Sequence, residues 1–179
     1  SEAQVPRPFR LLTARMGEGR GYHTATLLND GRVLIVGGPT STPRAEIFDP
    51  EVRNRICPEK ISGDRWLEVM EEVHAAGLRS NATMLYGHVE TLESRVDHMR
   101  RLRELQDRTG GFQSFIPLAF HPKNTEIAKG YTTGLADLLS LAVGRIYLDN
   151  FRHVKSFWIM VGPRIAQISL HFGVDDIDG

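Results

Sequence analysis

From Ala45 onward the chain alternates short apolar, strand-like runs with longer amphipathic segments, and this alternation limits its fold more than any other feature. The runs are Ala45–Phe48, Asn81–Tyr86, Phe112–Leu118, Ser156–Met160 and Val174–Ile177. Between them, residues 64–76 set Trp66, Val69, Met70 and Val73 at three-and-four spacing. Residues 91–107 do the same with Leu92, Val96, Met99, Leu102 and Leu105, before Gly110-Gly111. That spacing marks helices that lay one face on a core. A third helix is expected over 134–148, apolar through Leu135, Leu138, Leu139, Ala142, Val143 and Ile146, with Asp137 in its first turn, where a negative charge meets the helix dipole. Pro163 is placed to open a last helix reaching Phe172, because proline costs little at the first helical position.

Strand, helix, strand, helix at these lengths predicts an α/β fold with a parallel sheet. There are about four such units, whereas a closed eight-unit barrel takes about 250 residues. Residues 45–179 are therefore expected to form a partial TIM-type (βα) barrel or a small open sheet. Either has unpaired edges that a partner, a homo-oligomer or a missing half would cover.

Residues 1–44 read differently. Pro6, Pro8, Pro39 and Pro43 punctuate them, and no helical periodicity survives. His23-Thr24-Ala25-Thr26-Leu27-Leu28 and Arg32-Val33-Leu34-Ile35-Val36 are rich in threonine and β-branched residues, and Asn29-Asp30-Gly31 between them supplies turn chemistry. The zone is expected to be a β-hairpin extension to the α/β part.

Composition excludes several classes. The 179 residues carry 22 basic and 22 acidic side chains, with no basic run, so neither nucleic acid nor a membrane surface is an expected partner. No apolar run approaches the roughly 18 residues of a spanning helix, and the N-terminus lacks the plan of a signal peptide. Cytoplasm is the expected location. The chain starts without methionine and stops at Asp178-Gly179 just after an apparent strand, so a fragment at both ends is expected. One cysteine, Cys57, rules out an internal disulfide framework and reads as an incidental structural thiol.

Several stretches carry a resemblance. Ile56-Cys57-Pro58-Glu59-Lys60-Ile61, the run Leu78 to Thr91 containing Tyr86-Gly87-His88-Val89-Glu90, Leu102-Arg103-Glu104-Leu105-Gln106-Asp107, Phe115-Ile116-Pro117-Leu118-Ala119-Phe120-His121-Pro122, and Leu170-His171-Phe172-Gly173 leading to Asp175-Asp176-Ile177-Asp178 resemble aminofutalosine synthase. That family comprises radical S-adenosylmethionine enzymes of the futalosine route to menaquinone. The sister enzyme that cyclises dehypoxanthine futalosine shares the Gly87 to Thr91 and Arg103 to Asp107 words, while Leu118 to His121 fits aminofutalosine synthase better. The likeness covers about 45–179. Residues about 20–50, through Tyr22-His23-Thr24, Asp30-Gly31-Arg32 and Ala45-Glu46-Ile47-Phe48-Asp49-Pro50, resemble one kelch blade of the galactose-oxidase-like propellers. Two unrelated pieces joined near Ala45 are the implied origin.

The resemblance implies S-adenosylmethionine and a 4Fe-4S cluster as cofactors and a small-molecule substrate. The family's reaction adds the 5′-deoxyadenosyl group to a carboxyvinyloxy-benzoate. A cluster needs three or four thiolates, here a C-x3-C-x2-C triplet that these residues lack, so the cluster is not expected to bind this chain and the chain alone is expected to be inactive. The alternatives are a non-catalytic binding or assembly module and a fusion fragment without function.

Among individual residues, His88 follows the strand Asn81–Tyr86 at the end where parallel barrels place their sites. It is either a substrate contact or a structural histidine. Glu90 reads as an acid favouring the following helix N-terminus. Asn81 and Thr83 alternate with Ala82 and Met84, so one pair faces the barrel interior, and Asn81 and Thr83 are candidate cofactor contacts. His121 is a candidate substrate contact, with Asn124 and Thr125 beside it either ligand-facing or turn residues around Pro122. His74, His98 and His171 lie in predicted helices and read as packed or solvated. Asp175, Asp176 and Asp178 read as solvated carboxylates, and no metal is assigned.

Overall fold

The computed structural model describes the strands β1 (His23–Leu27) and β2 (Val33–Gly37) and residues 47–179 apart from 128–129. The chain divides into two units, Ser1–Pro43 and Arg44–Gly179. In the first, β1 and β2 pair antiparallel, His23 opposite Gly37 and Leu27 opposite Val33, which is the pairing expected of the hairpin. Its turn, Asn29-Asp30-Gly31, lies outside the described residues.

The second unit begins with a buried pair, Ile47 and Phe48, in no strand, although Ala45–Phe48 reads as one; Ala45 and Glu46 lie outside the described residues. Asp49 ends the segment by capping α1 (Pro50–Ile56), its carboxylate accepting from the Glu51 and Val52 amides, with Pro50 in the first turn. Helix α2 (Gly63–Ala75) is capped by Ser62 and α3 (Leu92–Thr109) by Thr91. The latter ends at Gly110 in the left-handed conformation (φ 59°), which glycine adopts without the clash a Cβ brings. Strands β3 (Ser80–Tyr86), β4 (Phe112–Ala119), β5 (His153–Phe157) and β6 (Asp176–Asp178) form one parallel sheet in that order, and α4 (Gly134–Tyr147) crosses from β4 to β5.

This is the expected α/β class with a parallel sheet. Among the described residues, β3 and β6 are its free edges. Two strand limits differ from expectation. The Ser156–Met160 run pairs as His153–Phe157, and Trp158–Val161 turns instead into the short helix α5. Strand β6 supplies partners only to Lys155, Ser156 and Phe157, so nothing extends the ladder past Phe157. The last strand is Asp176–Asp178 rather than Val174–Ile177, and the last helix runs as α6 (Pro163–Ser169) with a 3-10 turn at Leu170–Phe172.

One face of the sheet carries the core. Ala82, Met84 and Tyr86 of β3, Phe115 and Ala119 of β4 and Val154 of β5 meet Met99, Leu102 and Leu105 of α3 and Leu141 of α4, all buried. Leu92 and Val96, read as part of the α3 core stripe, are instead exposed, and the stripe is completed by Ser94, His98 and Gln106. Gln106 pins the start of β4: its amide donates to the Phe112 carbonyl (3.0 Å) and accepts from the Phe112 amide (2.8 Å). His74 and His98 are packed, as read from the sequence. His74 bridges the hydroxyls of Thr109 and Ser80 at 2.8 Å each, and its ring fills the space a Cβ at Gly111 would occupy. His98 stacks on Phe48 (4.1 Å between centroids) and donates to the Thr83 carbonyl (3.0 Å).

Burial pushes the His98 pKa down from 6.5 to about 3, outweighing the Thr83 hydrogen bond that favours the charged ring. The unfolded chain takes up that proton near pH 6.5 and the native one only near pH 3. Stability is therefore full above pH 6.5 and falls as the pH drops towards 3, by at most about 1.4 kcal/mol per pH unit from this group. His98→Gln keeps a donor for Thr83 and removes the titration. We predict that its melting temperature, followed by circular dichroism from pH 7.5 to 4, is lower at neutral pH but declines less steeply. His74, whose pKa burial also lowers, contributes a slope that remains.

Candidate functional site

The strand C-termini lie at one end of the parallel sheet, and their exit loops are tied together there. After Tyr86 the chain turns at Gly87 (φ 88°), where a Cβ would lie 2.3 Å from the Thr132 methyl. Only glycine lets the β3 exit approach the β4 exit this closely. The Phe120 amide donates to the Tyr86 carbonyl (2.8 Å), a ring nitrogen of His121 lies 2.8 Å from the Met160 carbonyl beyond β5, and the Trp158 indole donates to the Gly179 carbonyl beyond β6 (3.3 Å).

The hub of this rim is Glu90. Its carboxylate, with a fully buried side chain, accepts from the amides of Gly87 (2.6 Å) and His88 (2.8 Å) and from Arg95 of α3 through Nε (2.7 Å) and a second guanidinium nitrogen (2.6 Å). His88 Nδ1 lies 3.1 Å from the other carboxylate oxygen. Burial alone pushes the Glu90 pKa up, but the Gly87 amide, His88 and Arg95 together hold it below the ordinary carboxylate value. Four donors on one desolvated carboxylate are what a buried charge requires. Arg95 also lies over the Tyr86 ring (5.4 Å), and the Tyr86 hydroxyl donates to the buried Asp137 (2.8 Å) in the first turn of α4. Burial, with Asp137 beside it, pushes the Tyr86 hydroxyl pKa far up, so it stays a donor.

The sheet face turned away from α3 and α4 is the other part of the site. Ala82 and Met84 take the core face, so Asn81, Thr83 and Leu85 take this one. Asn81 Oδ1 accepts from the Ser114 hydroxyl (2.8 Å), and Ile116, Leu118, Leu85, Phe157 and Met160 form an apolar patch beside them. Towards β6, Lys155 Nζ pairs with Asp176 (2.8 Å) and Asp178 (3.5 Å), and the Asp176 hydrogen bond leads in raising its pKa. A face with an amide, hydroxyls, an apolar floor and a compensated lysine suits a flat, partly polar small molecule.

The sequence candidates are thus separated. Asn81 and Thr83 share the open face. His121 stands on the rim, its ring edge-on to Tyr131 at 5.4 Å. His88 is fully buried, with its other ring nitrogen 3.2 Å from the Leu85 carbonyl and its ring edge-on to Phe120, so in this structure it supports the loop from inside. Asn124 adopts φ 64° and Thr125 bonds the Pro122 carbonyl, the turn reading of both. Asp175 accepts from the Val154 amide and pairs with His153 at 2.9 Å. Cys57 is buried at the end of α1. Sequence reasoning missed Glu90 as a hub, along with Arg95, the Tyr86–Asp137 pair and Lys155. The one available signal was an acid five residues before an arginine across a helix start.

A parallel α/β unit is the class the fold defines. Residues 109–179 match the family model of the CofH/MqnC C-terminal region. Over 140 residues, 75% of this chain and 38% of the relative, the chain is 56% identical to aminodeoxyfutalosine synthase of Thermus thermophilus. It is 44% identical over 164 residues (89% of this chain, 44% of the relative) to 5-amino-6-(D-ribitylamino)uracil–L-tyrosine 4-hydroxyphenyl transferase of Methanospirillum hungatei. It is also 44% identical over 135 residues (74% and 34%) to cyclic dehypoxanthine futalosine synthase of Streptomyces coelicolor. The chain spans less than half the length of each of these relatives. The alignment covering 89% of the chain extends into residues before 45, so the likeness to these relatives is not confined to 45–179, and the kelch-blade reading of the earlier zone gains no support from them.

Glu90→Gln leaves Arg95 facing a neutral amide in a site that excludes water. It is expected to cost about 2–4 kcal/mol in chemical denaturation, the lower end of a broken buried pair because Arg95 keeps some exposure. Gly87→Ala must move Thr132 and adopt a positive φ, and is expected to destabilise by at least about 1–3 kcal/mol.

Proposed function

We propose that these residues are the substrate- and adenosyl-facing part of an aminodeoxyfutalosine synthase of the radical S-adenosylmethionine class, acting in menaquinone biosynthesis. The 56% identity to the Thermus thermophilus enzyme carries this reading, against 44% to relatives with other reactions. On this reading Asn81 and Thr83 would contact the adenosyl part of S-adenosylmethionine, and His121 on the rim would contact the carboxyvinyloxy-benzoate. The complete enzyme would join the 5′-deoxyadenosyl group to that substrate. Asp and Lys groups towards β6 would then border the substrate end. A cytoplasmic setting fits this biosynthetic role, and among the described residues no helix is long and apolar enough to cross a membrane.

The donor set of these residues does not fit a 4Fe-4S cluster. Cys57 is the single thiol in the sequence and is buried, and no group of three metal-ligating side chains occurs among the described residues. Cluster ligands would have to come from elsewhere. Reconstituted anaerobically with iron and sulfide, the 179-residue chain is expected to yield no 5′-deoxyadenosine from S-adenosylmethionine. Supplying the part of the Thermus thermophilus enzyme that precedes the matched region is expected to give aminodeoxyfutalosine by mass spectrometry, at least about tenfold less with Asn81→Ala. Cleavage by the chain alone would overturn the first expectation, and product unaffected by Asn81→Ala the second.

A further inference from the structure

Helix α4 is apolar on both sides. Leu138, Leu141 and Gly144 face the core, yet Leu135, Leu139, Val143 and Ile146 stand on the opposite side with 68%, 53%, 45% and 79% of their surfaces exposed. No charge interrupts this outer stripe. Asp137 is turned inward to Tyr86, and Arg145 is tied to the Phe151 carbonyl (2.8 Å). A helix apolar all round is normally covered all round.

The spacing says what kind of cover fits. Leu135, Leu139, Ala142 and Ile146 follow one another at intervals of four, three and four, the seam spacing of helices that pair at a shallow angle. The seam is also self-complementary. Laid antiparallel on a copy of itself about a twofold axis between Ser140 and Leu141, it sets Leu135 against Ile146 and Leu139 against Ala142, with the small Ala142 allowing close approach. Helix α6 and the 3-10 turn pack alongside, Ile165 against Gly134 and Gly173 against Arg145, and add the exposed Ile168, Leu170 and Phe172.

The α4 stripe alone exposes on the order of 400 Å², as large as the largest apolar patch of an ordinary monomer. Two such stripes bury about 800 Å², and the α6 flank brings the total near the roughly 1,200 Å² at which specific interfaces begin. We propose that the α4 face is the contact between two copies of this chain, an antiparallel α4–α4 pair flanked by α6, of modest affinity. This surface is on the outer helical layer, apart from the open sheet face and the free edges, so it stands independently of the catalytic reading.

Sedimentation equilibrium of the 179-residue chain from 1 to 200 µM tests it. We expect a monomer–dimer equilibrium with a dissociation constant in the micromolar range, weakened at least about tenfold by Leu139→Glu. Leu92→Glu, on the exposed face of α3, serves as the control and is expected to leave it unchanged, and circular dichroism shows that each variant keeps its helix content. Spin labels at Leu135→Cys and, in a separate preparation, Ile146→Cys should each give an intermolecular distance of that dimer, while a mixture of the two singly labelled chains gives a shorter one. A monomer throughout the range, or a dimer that Leu139→Glu leaves intact while Leu92→Glu or mutations at the β3 edge disrupt it, would overturn the proposal.

Discussion

A parallel sheet needs both faces covered, because its strands carry apolar side chains to each side. Here α3 and α4, with Trp66 and Met70 of α2, cover one face. There Phe151 stacks on Phe112 and takes Phe115 edge-on, in one cluster with Leu102, Leu105 and Leu148. The other face holds the small Leu85, Ile116, Leu118, Phe157 and Met160 patch among Asn81, Thr83, Ser114 and Lys155. The side under α3 and α4 holds the larger buried cluster, and the other side a smaller one in which Ser114, Ile116 and Leu118 of β4 are also buried.

The rim links the two sides. Glu90 draws two loop amides, His88 and Arg95 onto one carboxylate, and Arg95 and Tyr86 carry the connection to Asp137 at the start of α4. Both Glu90 oxygens accept from the loop or from Arg95, so the exit loop of β3 is held by charge-assisted bonds in a desolvated place where they are strong. His88 belongs to this support, whereas Asn81 and Thr83 lie on the other face of β3, Asn81 bonded to Ser114.

Most of the fold was legible because it rests on local signals. Three-and-four periodicity located α2, α3 and α4; Ser62, Thr91 and Thr133 cap their starts; Gly110 ends α3. The alternation of Asn81 and Thr83 with Ala82 and Met84 correctly sorted the two faces of β3. Two readings failed. Trp158, Ile159 and Met160 form the short helix α5 just past the β5 residues that pair with β6. Leu92 and Val96 lie on the outward side of α3, whose buried stripe runs through Ser94, His98, Met99, Leu102 and Leu105, and so stand exposed.

The sequence by itself determined the βα alternation, the hairpin pairing of β1 with β2, the approximate limits of α2, α3 and α4 and the shortage of thiols, since each follows from the identity of neighbouring residues. Only the tertiary structure decided that Glu90 is a hub rather than a helix-dipole acid, that Asp137 receives Tyr86, and that His88 lies inside the rim. Those roles depend on which donors converge in space from β3, α3 and α4, and convergence across 51 residues, as between Tyr86 and Asp137, leaves no mark in local spacing.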